Sequence, residues 1–130
     1  MTRRALREQV FKMLFRVEFH DAKEMKEQAV LFDEEESCSE KDKEYITKKF
    51  ENIVEKITEI DAAVNEVAKG WKTTRMGKVD LTIIRLAVYE MKYEEDIPVK
   101  VAINEAVELA KQYGADDSPA FVNGILAKLA

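Results

Sequence analysis

Apolar residues recur at steps of three and four positions along most of the 130-residue chain. This spacing places apolar side chains on one face of an α-helix, so it predicts a series of amphipathic helices. Because the polar gaps are short, we expect an all-α, single-domain bundle of about seven helices, packed as antiparallel or angled hairpins. The predicted helices are Arg3 to Phe19 with Thr2 as N-cap, Met25 to Phe32, one that starts after Ser39, one from Ala62 to Trp71 beyond a bend at Thr58, Val79 to Tyr93, Pro98 to Tyr113, and one that starts at Ser118 and Pro119.

The predicted helix from Val79 to Tyr93 is apolar nearly all round, which is typical of a central buried helix. Arg85 and Glu90 interrupt its apolar run. A buried charge needs a partner. We therefore interpret these two residues, together with Glu105, as members of internal hydrogen-bonded pairs with a structural role.

A sharply defined turn separates the last two predicted helices. Gly114 stands where a left-handed residue commonly ends a helix, while Ser118 followed by Pro119 is typical of an N-cap and first helical residue. Tyr113 and Phe121 flank this turn. Spacing alone leaves two interpretations open: rings that stack bases beside the free N–H groups of a helix N-terminus, or rings buried in the core.

Composition indicates one compact domain over residues 1–130. Hydrophobic residues make up 46% of the chain and charged residues 36%, with only four Gly and two Pro, which favours a helical protein over a disordered or β-rich one. The single Cys38 excludes an internal disulfide. Without an export signal or an apolar run of about 18 residues, we expect a cytoplasmic protein that does not enter the membrane.

The formal net charge of −5 is unevenly distributed along the sequence. Residues 1–17 carry five basic side chains and one acidic one, a charge of +4, so the other 113 residues carry −9. Basic residues at a helix N-terminus oppose the helix dipole, which favours an external anion as the partner of Arg3, Arg4 and Arg7. The alternative is that these arginines are ordinary solvated side chains.

The sequence contains no arrangement typical of catalysis. His20 is the only histidine, no glycine-rich phosphate loop is present, and no His, Cys or Glu cluster has the spacing of metal ligands. We expect neither an enzyme nor a cofactor or metal site. The acidic run at residues 33–36 is typical of a solvated loop, and Asp117 is assigned a binding role rather than a catalytic one.

Two functional hypotheses follow from the residues. In the first, the arginine-rich helix and the corner at residues 113–121 form one composite site for single-stranded RNA, with bases stacked on aromatic rings and phosphates held by arginines. In the second, the line of Phe11, Phe15 and Phe19 is the docking face of a protein-binding bundle that makes no direct contact with RNA. Salt distinguishes them, because phosphate binding weakens steeply with ionic strength.

Three segments resemble the NusB family of transcription antitermination factors: VAINEAVELAKQYGADDSPAFVNGIL near the C-terminus, RLAVYEM at residues 85–91, and TRRALREQVFKMLF at residues 2–15. The resemblance implies a fold of seven helices and a role in antitermination on ribosomal RNA operons. It implies binding to boxA-type single-stranded RNA together with NusE, a small-subunit ribosomal protein, within the elongating RNA polymerase complex.

The family pattern also implies roles for individual residues. The implied RNA-binding residues are Arg3, Arg4, Arg7, Tyr113, Asp117 and Phe121, and the implied NusE contacts are Phe15, Thr74 and Asp80. Two features depart from that pattern: Phe15 lacks the hydroxyl of the Tyr common there, and only two residues precede the first arginine.

Two alternatives stay open within this resemblance. The apolar face of the first helix fits either NusE or a second copy of the chain, so a homodimer is possible. A similar domain also begins certain ribosomal RNA cytosine methyltransferases; because the sequence ends at Ala130, we expect no methyl-donor domain and keep this alternative only as an ancestral relation.

Overall fold

A computed structural model describes residues 1–17 and 39–130 of the protein. Within these ranges the chain forms five α-helices and one short 3-10 helix, with no strand. The predicted helix from Met25 to Phe32 lies outside the described residues, as do Phe19, His20, the acidic run and Cys38. The helices are α1 (Arg3–Val17), α2 (Glu40–Val67), α3 (Lys78–Tyr93), α4 (Val99–Tyr113) and α5 (Ser118–Leu129), and the 3-10 helix is Thr73–Arg75.

The prediction of about seven helices is therefore wrong for the described residues, which contain five. One reason is that α2 runs continuously over Glu40–Val67, through the bend predicted at Thr58. No glycine or proline interrupts this segment, and the exposed Thr58 is an ordinary surface residue of the helix. The spacing of Thr58 and Asp61 resembled a helix start, but the Asp61 side chain instead binds Arg85 of α3.

Two predicted helix starts are confirmed by their capping hydrogen bonds. The backbone N–H of Ala5 donates to the Thr2 hydroxyl oxygen at 3.0 Å, and that of Asp42 donates to the Ser39 hydroxyl oxygen at 3.1 Å. The Asp42 carboxylate also accepts a hydrogen bond from the amine of Met1 at 3.0 Å, which holds the pKa of Asp42 below its ordinary value.

The described chain divides into two compact units, Met1–Val54 and Glu55–Ala130, and α2 passes from the first into the second. In the first unit, α1 and the first part of α2 each bury apolar side chains. The expectation of one domain over residues 1–130 stays a prediction. The buried apolar residues of the first unit are Val10, Phe11, Met13, Leu14, Ile46 and Ile53.

The second unit is built around α3, as its apolar sequence predicted. Helices α3, α4 and α5 each pack against the other two. Nine of the 16 residues of α3 are buried, from Leu81 to Ile84 and from Leu86 to Glu90, so the helix is covered on nearly all sides. The buried apolar residues on the other two helices include Ala102, Ala106, Leu109, Val122, Ile125 and Leu126.

Arg85 of α3 is paired, as predicted, but the partner that binds it is Asp61 of α2, which was not among the residues expected to pair with it. The guanidinium donates two hydrogen bonds, from Nε to Oδ1 at 2.9 Å and from Nη2 to Oδ2 at 2.7 Å. Burial opposes charge on both groups: it raises the pKa of the Asp61 carboxyl to about 6 and lowers the pKa of the Arg85 guanidinium. The two charge-assisted bonds offset this desolvation, so each charge depends on the other.

Gly114 ends α4 for a steric reason and not because of a left-handed backbone. Its φ of −93° and ψ of −173° are extended, so the predicted left-handed conformation is wrong. A Cβ at this position would lie 2.6 Å from both Cβ and Oγ of Ser118 and 2.8 Å from the carbonyl oxygen of Ala110. No ordinary side chain fits at that distance.

Ser118 closes the same turn. Its hydroxyl oxygen accepts a hydrogen bond from the N–H of Ala115 at 2.9 Å, and its own N–H donates to the carbonyl of Ala115 at 3.0 Å. The N-cap of α5 is Asp117, so the prediction of Ser118 as N-cap is wrong. Pro119 lies in the first turn, but as the second helical residue and not the first as predicted. Ser118 is only 2% exposed, and its buried hydroxyl satisfies the backbone N–H of Ala115.

We predict that Gly114→Ala lowers the free energy of unfolding by about 1 to 3 kcal/mol, because the new methyl group overlaps the Ser118 side chain. Urea denaturation followed by circular dichroism measures this change. Gly124→Ala is the matched control, since nothing lies within 4 Å of its Cβ position in α5. That variant should be neutral or more stable by up to about 1 kcal/mol. Equal losses in both variants would contradict the steric explanation.

We also predict that Asp61→Asn and Arg85→Gln each destabilise the second unit. The pair is only partly buried, with side-chain exposures of 21% and 13%, so a loss of about 1 to 3 kcal/mol is expected for each. The double variant should lose less than the sum of the two, because it leaves no unpaired charge behind. A double-mutant cycle by urea denaturation measures the coupling, and strictly additive losses would show that the pair contributes no interaction energy.

Candidate nucleic-acid interface

The corner between α4 and α5 presents two aromatic rings that are neither sealed in the core nor fully exposed. Tyr113, the last residue of α4, is half-buried, and its hydroxyl oxygen accepts a hydrogen bond from the Gln112 amide at 3.3 Å. Phe121 is half-buried in the first turn of α5, where its N–H donates to the Asp117 carbonyl at 3.1 Å. Both rings therefore retain surface that a ligand can contact.

Asp117 lies between these rings along the chain. It is exposed and occupies the N-cap position of α5, yet its side chain makes no capping hydrogen bond. Its carboxylate is thus near the positive end of the helix dipole without being used to close the helix. This position is compatible with the binding role predicted for Asp117.

Trp71 belongs to this corner, and the sequence analysis missed it. We predicted that Trp71 lies on the apolar face of a helix, but α2 ends at Val67 and the indole is 58% exposed. Its ring packs against Phe121 at a centroid distance of 5.9 Å and an interplanar angle of 70°. The signal available in the sequence was a tryptophan directly after Gly70, since glycine commonly marks a turn.

The turn that carries Trp71 is held by specific bonds. Gly70 has a φ of +83°, a conformation that side-chain-bearing residues rarely adopt. Asn65 of α2 then makes two hydrogen bonds to Thr73: its Oδ1 accepts from the backbone N–H at 2.8 Å, and its Nδ2 donates to the hydroxyl at 3.3 Å. The Lys72 ammonium donates to the Asn65 carbonyl at 2.9 Å.

The basic residues of α1 differ in their access to solvent. Arg3 and Arg4 are exposed, whereas Arg7 is only 7% exposed. Lys12 pairs with Glu8 at 3.6 Å. Arg3 and Arg4 are therefore better placed to hold phosphates than Arg7, and substitution of Arg7 would test folding as much as binding.

The residues expected to contact a protein partner occupy three different elements. Phe15 of α1 is half-buried with its ring centroid 6.1 Å from that of Phe11, which is only 3% exposed. Thr74 is exposed in the 3-10 helix, and Asp80 is half-buried in the first turn of α3. Because Phe11 is buried, the predicted line of phenylalanines is not a continuous exposed face in the described residues.

The predicted RNA-binding residues are divided between the two units. Tyr113, Asp117 and Phe121 share one corner of the second unit, while the three arginines belong to the first unit. A single composite surface made by both groups stays a prediction.

Within residues 1–17 and 39–130, no group of three or more His, Cys, Asp or Glu side chains is arranged to hold a metal ion. No helix in residues 1–17 or 39–130 combines the length and the apolar character needed to cross a membrane.

Comparison with known proteins identifies the family. The model of the NusB family matches residues 4–130. The transcription antitermination protein NusB of Agathobacter rectalis is 60% identical over 131 aligned positions, which cover 100% of both chains. The NusB structure from T. maritima has a TM-score of 0.86 at 36% identity, covering 100% of this chain and 91% of that one.

A solved structure of antitermination factors NusB and NusE in complex with dsRNA gives a TM-score of 0.83 at 24% identity, covering 98% of this chain and 94% of that one. At that identity the likeness shows a shared fold. The family match and the full-length relative together show that this chain belongs to the NusB family of transcription antitermination proteins, which are not enzymes.

Proposed function

We propose that this antitermination factor binds boxA-type single-stranded RNA together with NusE and so assembles antitermination complexes on ribosomal RNA operons. The observation that carries the proposal is the corner of the second unit, where Tyr113 and Phe121 stay partly exposed on either side of a turn closed by Gly114 and Ser118. Such rings are suited to stack unpaired bases, which contributes about 1 to 3 kcal/mol per base.

Single strands fit this corner better than a duplex does. Bases in a duplex are stacked on one another, whereas unpaired bases present open faces to aromatic side chains. Arg3 and Arg4 add exposed positive charge from α1. The net charge of −5 does not oppose this, because screening confines phosphate contacts to a distance of about 8 Å at physiological salt.

Family membership supports NusE as the protein partner. A protein of the same fold occurs with NusE and dsRNA in a solved complex. In this chain we assign the contact to Phe15, Thr74 and Asp80, of which Thr74 is the most openly exposed. Through NusE the pair would join the elongating RNA polymerase complex in the cytoplasm, and self-association through α1 would compete with NusE.

The alternative of a docking bundle without direct RNA contact is less well supported. It relied on Phe11, Phe15 and Phe19 as one exposed face, but Phe11 is 3% exposed and Phe19 lies outside the described residues. Salt dependence of RNA binding distinguishes the two proposals.

We predict that Arg3→Gln with Arg4→Gln weakens RNA binding and reduces its salt dependence. Removing two phosphate contacts should lower the slope of log affinity against log salt by about 1.4 for a single strand. Fluorescence anisotropy of labelled boxA-like RNA, titrated at several salt concentrations with and without NusE, measures both effects, and NusE is expected to tighten binding.

Lys92→Gln with Lys100→Gln is the matched control for that experiment. These lysines are exposed in the second unit, and their substitution changes the net charge by the same amount. An equal loss in both double variants would point to general electrostatic attraction and remove α1 from the site. If RNA does not bind with or without NusE, the proposed function itself is overturned.

We predict that Phe121→Leu lowers RNA affinity by about 1 to 3 kcal/mol, because leucine retains apolar bulk but cannot stack on a base. The same anisotropy titration measures this change, and circular dichroism checks the fold. Tyr93→Leu removes a 39% exposed ring from α3 and serves as the control. Unchanged affinity of the Phe121 variant would exclude this ring from the interface.

A further inference from the structure

Trp71 is the most exposed large hydrophobic side chain in the part of the chain that the structure describes. It is also the only tryptophan among the 130 residues. An indole has the largest apolar surface of any side chain, and exposing 58% of it forgoes the stabilisation that burial would give. Single exposed apolar residues are common, so exposure alone does not define a site. The evidence for a site comes from the residues near Trp71.

Three bonds and one special backbone conformation hold Trp71 in its exposed position. The Trp71 N–H donates to the Ala68 carbonyl at 3.0 Å, and Gly70 next to it takes a φ of +83°. On the other side, both polar atoms of the Asn65 amide bind Thr73. The indole is therefore presented by a fixed turn, which lowers the entropy lost when a ligand stacks on it.

The indole continues the aromatic corner of the proposed RNA interface. Its contact with Phe121 is edge-on, at 5.9 Å and 70°, and most of its surface is still open to solvent. Phe121 thus has Trp71 as a direct neighbour. An unpaired base that reaches Phe121 would also meet the indole.

The charge of the segment that contains Trp71 favours a polyanion. Residues 68–78 contain four basic side chains and no acidic one, a local charge of +4 within a chain of −5. All four basic residues are exposed. Aromatic rings flanked by basic side chains are the combination that single-stranded nucleic acids require, since the rings stack bases and the cations track phosphates. The four residues are Lys69, Lys72, Arg75 and Lys78.

We propose that Trp71 is a further RNA-binding residue, on which an unpaired nucleobase stacks beside Phe121 while the basic segment at residues 69–78 contacts the adjoining phosphates. This inference rests on the proposed function, because it assigns a residue to the same interface. Four exposed cations in the same segment of the chain disfavour an apolar protein partner.

The single tryptophan makes the test direct. Wild-type protein is titrated with boxA-like single-stranded RNA carrying a terminal dye, and dye anisotropy and tryptophan emission are recorded in the same samples. Stacking should quench the emission with the same midpoint as the rise in anisotropy, and bound RNA should protect the indole from acrylamide. A duplex of the same sequence should give much weaker quenching, because its bases are already stacked.

The possible outcomes distinguish failure of this inference from failure of the proposed function. A rise in anisotropy with unchanged emission and unchanged acrylamide access overturns the role of Trp71 and leaves RNA binding intact. No rise in anisotropy, with or without NusE, overturns the proposed function. If NusE without RNA changes the tryptophan emission and RNA does not, Trp71 contacts the protein partner, and the inference is overturned.

Variants give a second readout. Trp71→Leu should weaken RNA binding about tenfold, whereas Trp71→Phe, which keeps an aromatic face, should retain most of the affinity. Tyr93→Leu is the control for loss of an exposed ring. Lys69→Gln with Arg75→Gln should lower the salt slope while RNA still quenches Trp71. Equal affinity of the leucine and wild-type proteins would contradict the proposal.

Discussion

The close approach of Gly114 to Ser118 is the constraint on which the candidate site depends. Only a residue without Cβ allows the Ser118 side chain to reach this point, and only then can its hydroxyl accept the N–H of Ala115. The turn that results ends α4 at Tyr113 and starts α5 three residues before Phe121. A larger residue at position 114 would push the two helices apart and separate the rings that they carry.

A second set of contacts fixes Trp71, the neighbour of Phe121. Asp61 and Asn65 are four residues apart on α2 and so share one face of that helix. Asp61 holds Arg85 on the central helix α3, and Asn65 holds Thr73 just after the turn that presents Trp71. One face of α2 thus contacts the central helix α3 through Asp61 and the segment that follows Trp71 through Asn65. The position of the exposed indole is therefore tied to the packed helices.

The distribution of charge is compatible with the proposed RNA ligand of an acidic protein. Residues 1–17 and residues 68–78 each carry a local charge of +4, although the whole chain carries −5. Phosphates respond to the field within roughly a Debye length, so local basic segments are compatible with the proposed RNA binding although the rest of the sequence is acidic. An acidic remainder would also disfavour the binding of RNA to other parts of the surface.

The sequence by itself determined the features that depend on neighbouring residues. Helical class, the N-caps Thr2 and Ser39, the buried character of α3 and the family resemblance follow from patterns within a few positions, because capping and helix periodicity are local. The predicted bend at Thr58 failed for the same reason, since a local capping pattern was given more weight than an uninterrupted helix.

Only the tertiary structure decided the contacts between distant residues. Asp61 as the partner of Arg85, Trp71 as the neighbour of Phe121 and the burial of Arg7 each depend on how elements pack. Gly114 shows the difference most clearly. In the sequence it marked a turn, but the structure shows that glycine is needed because a Cβ at this position would overlap Ser118. Such contacts are set by distances in space, which periodicity along the chain does not specify.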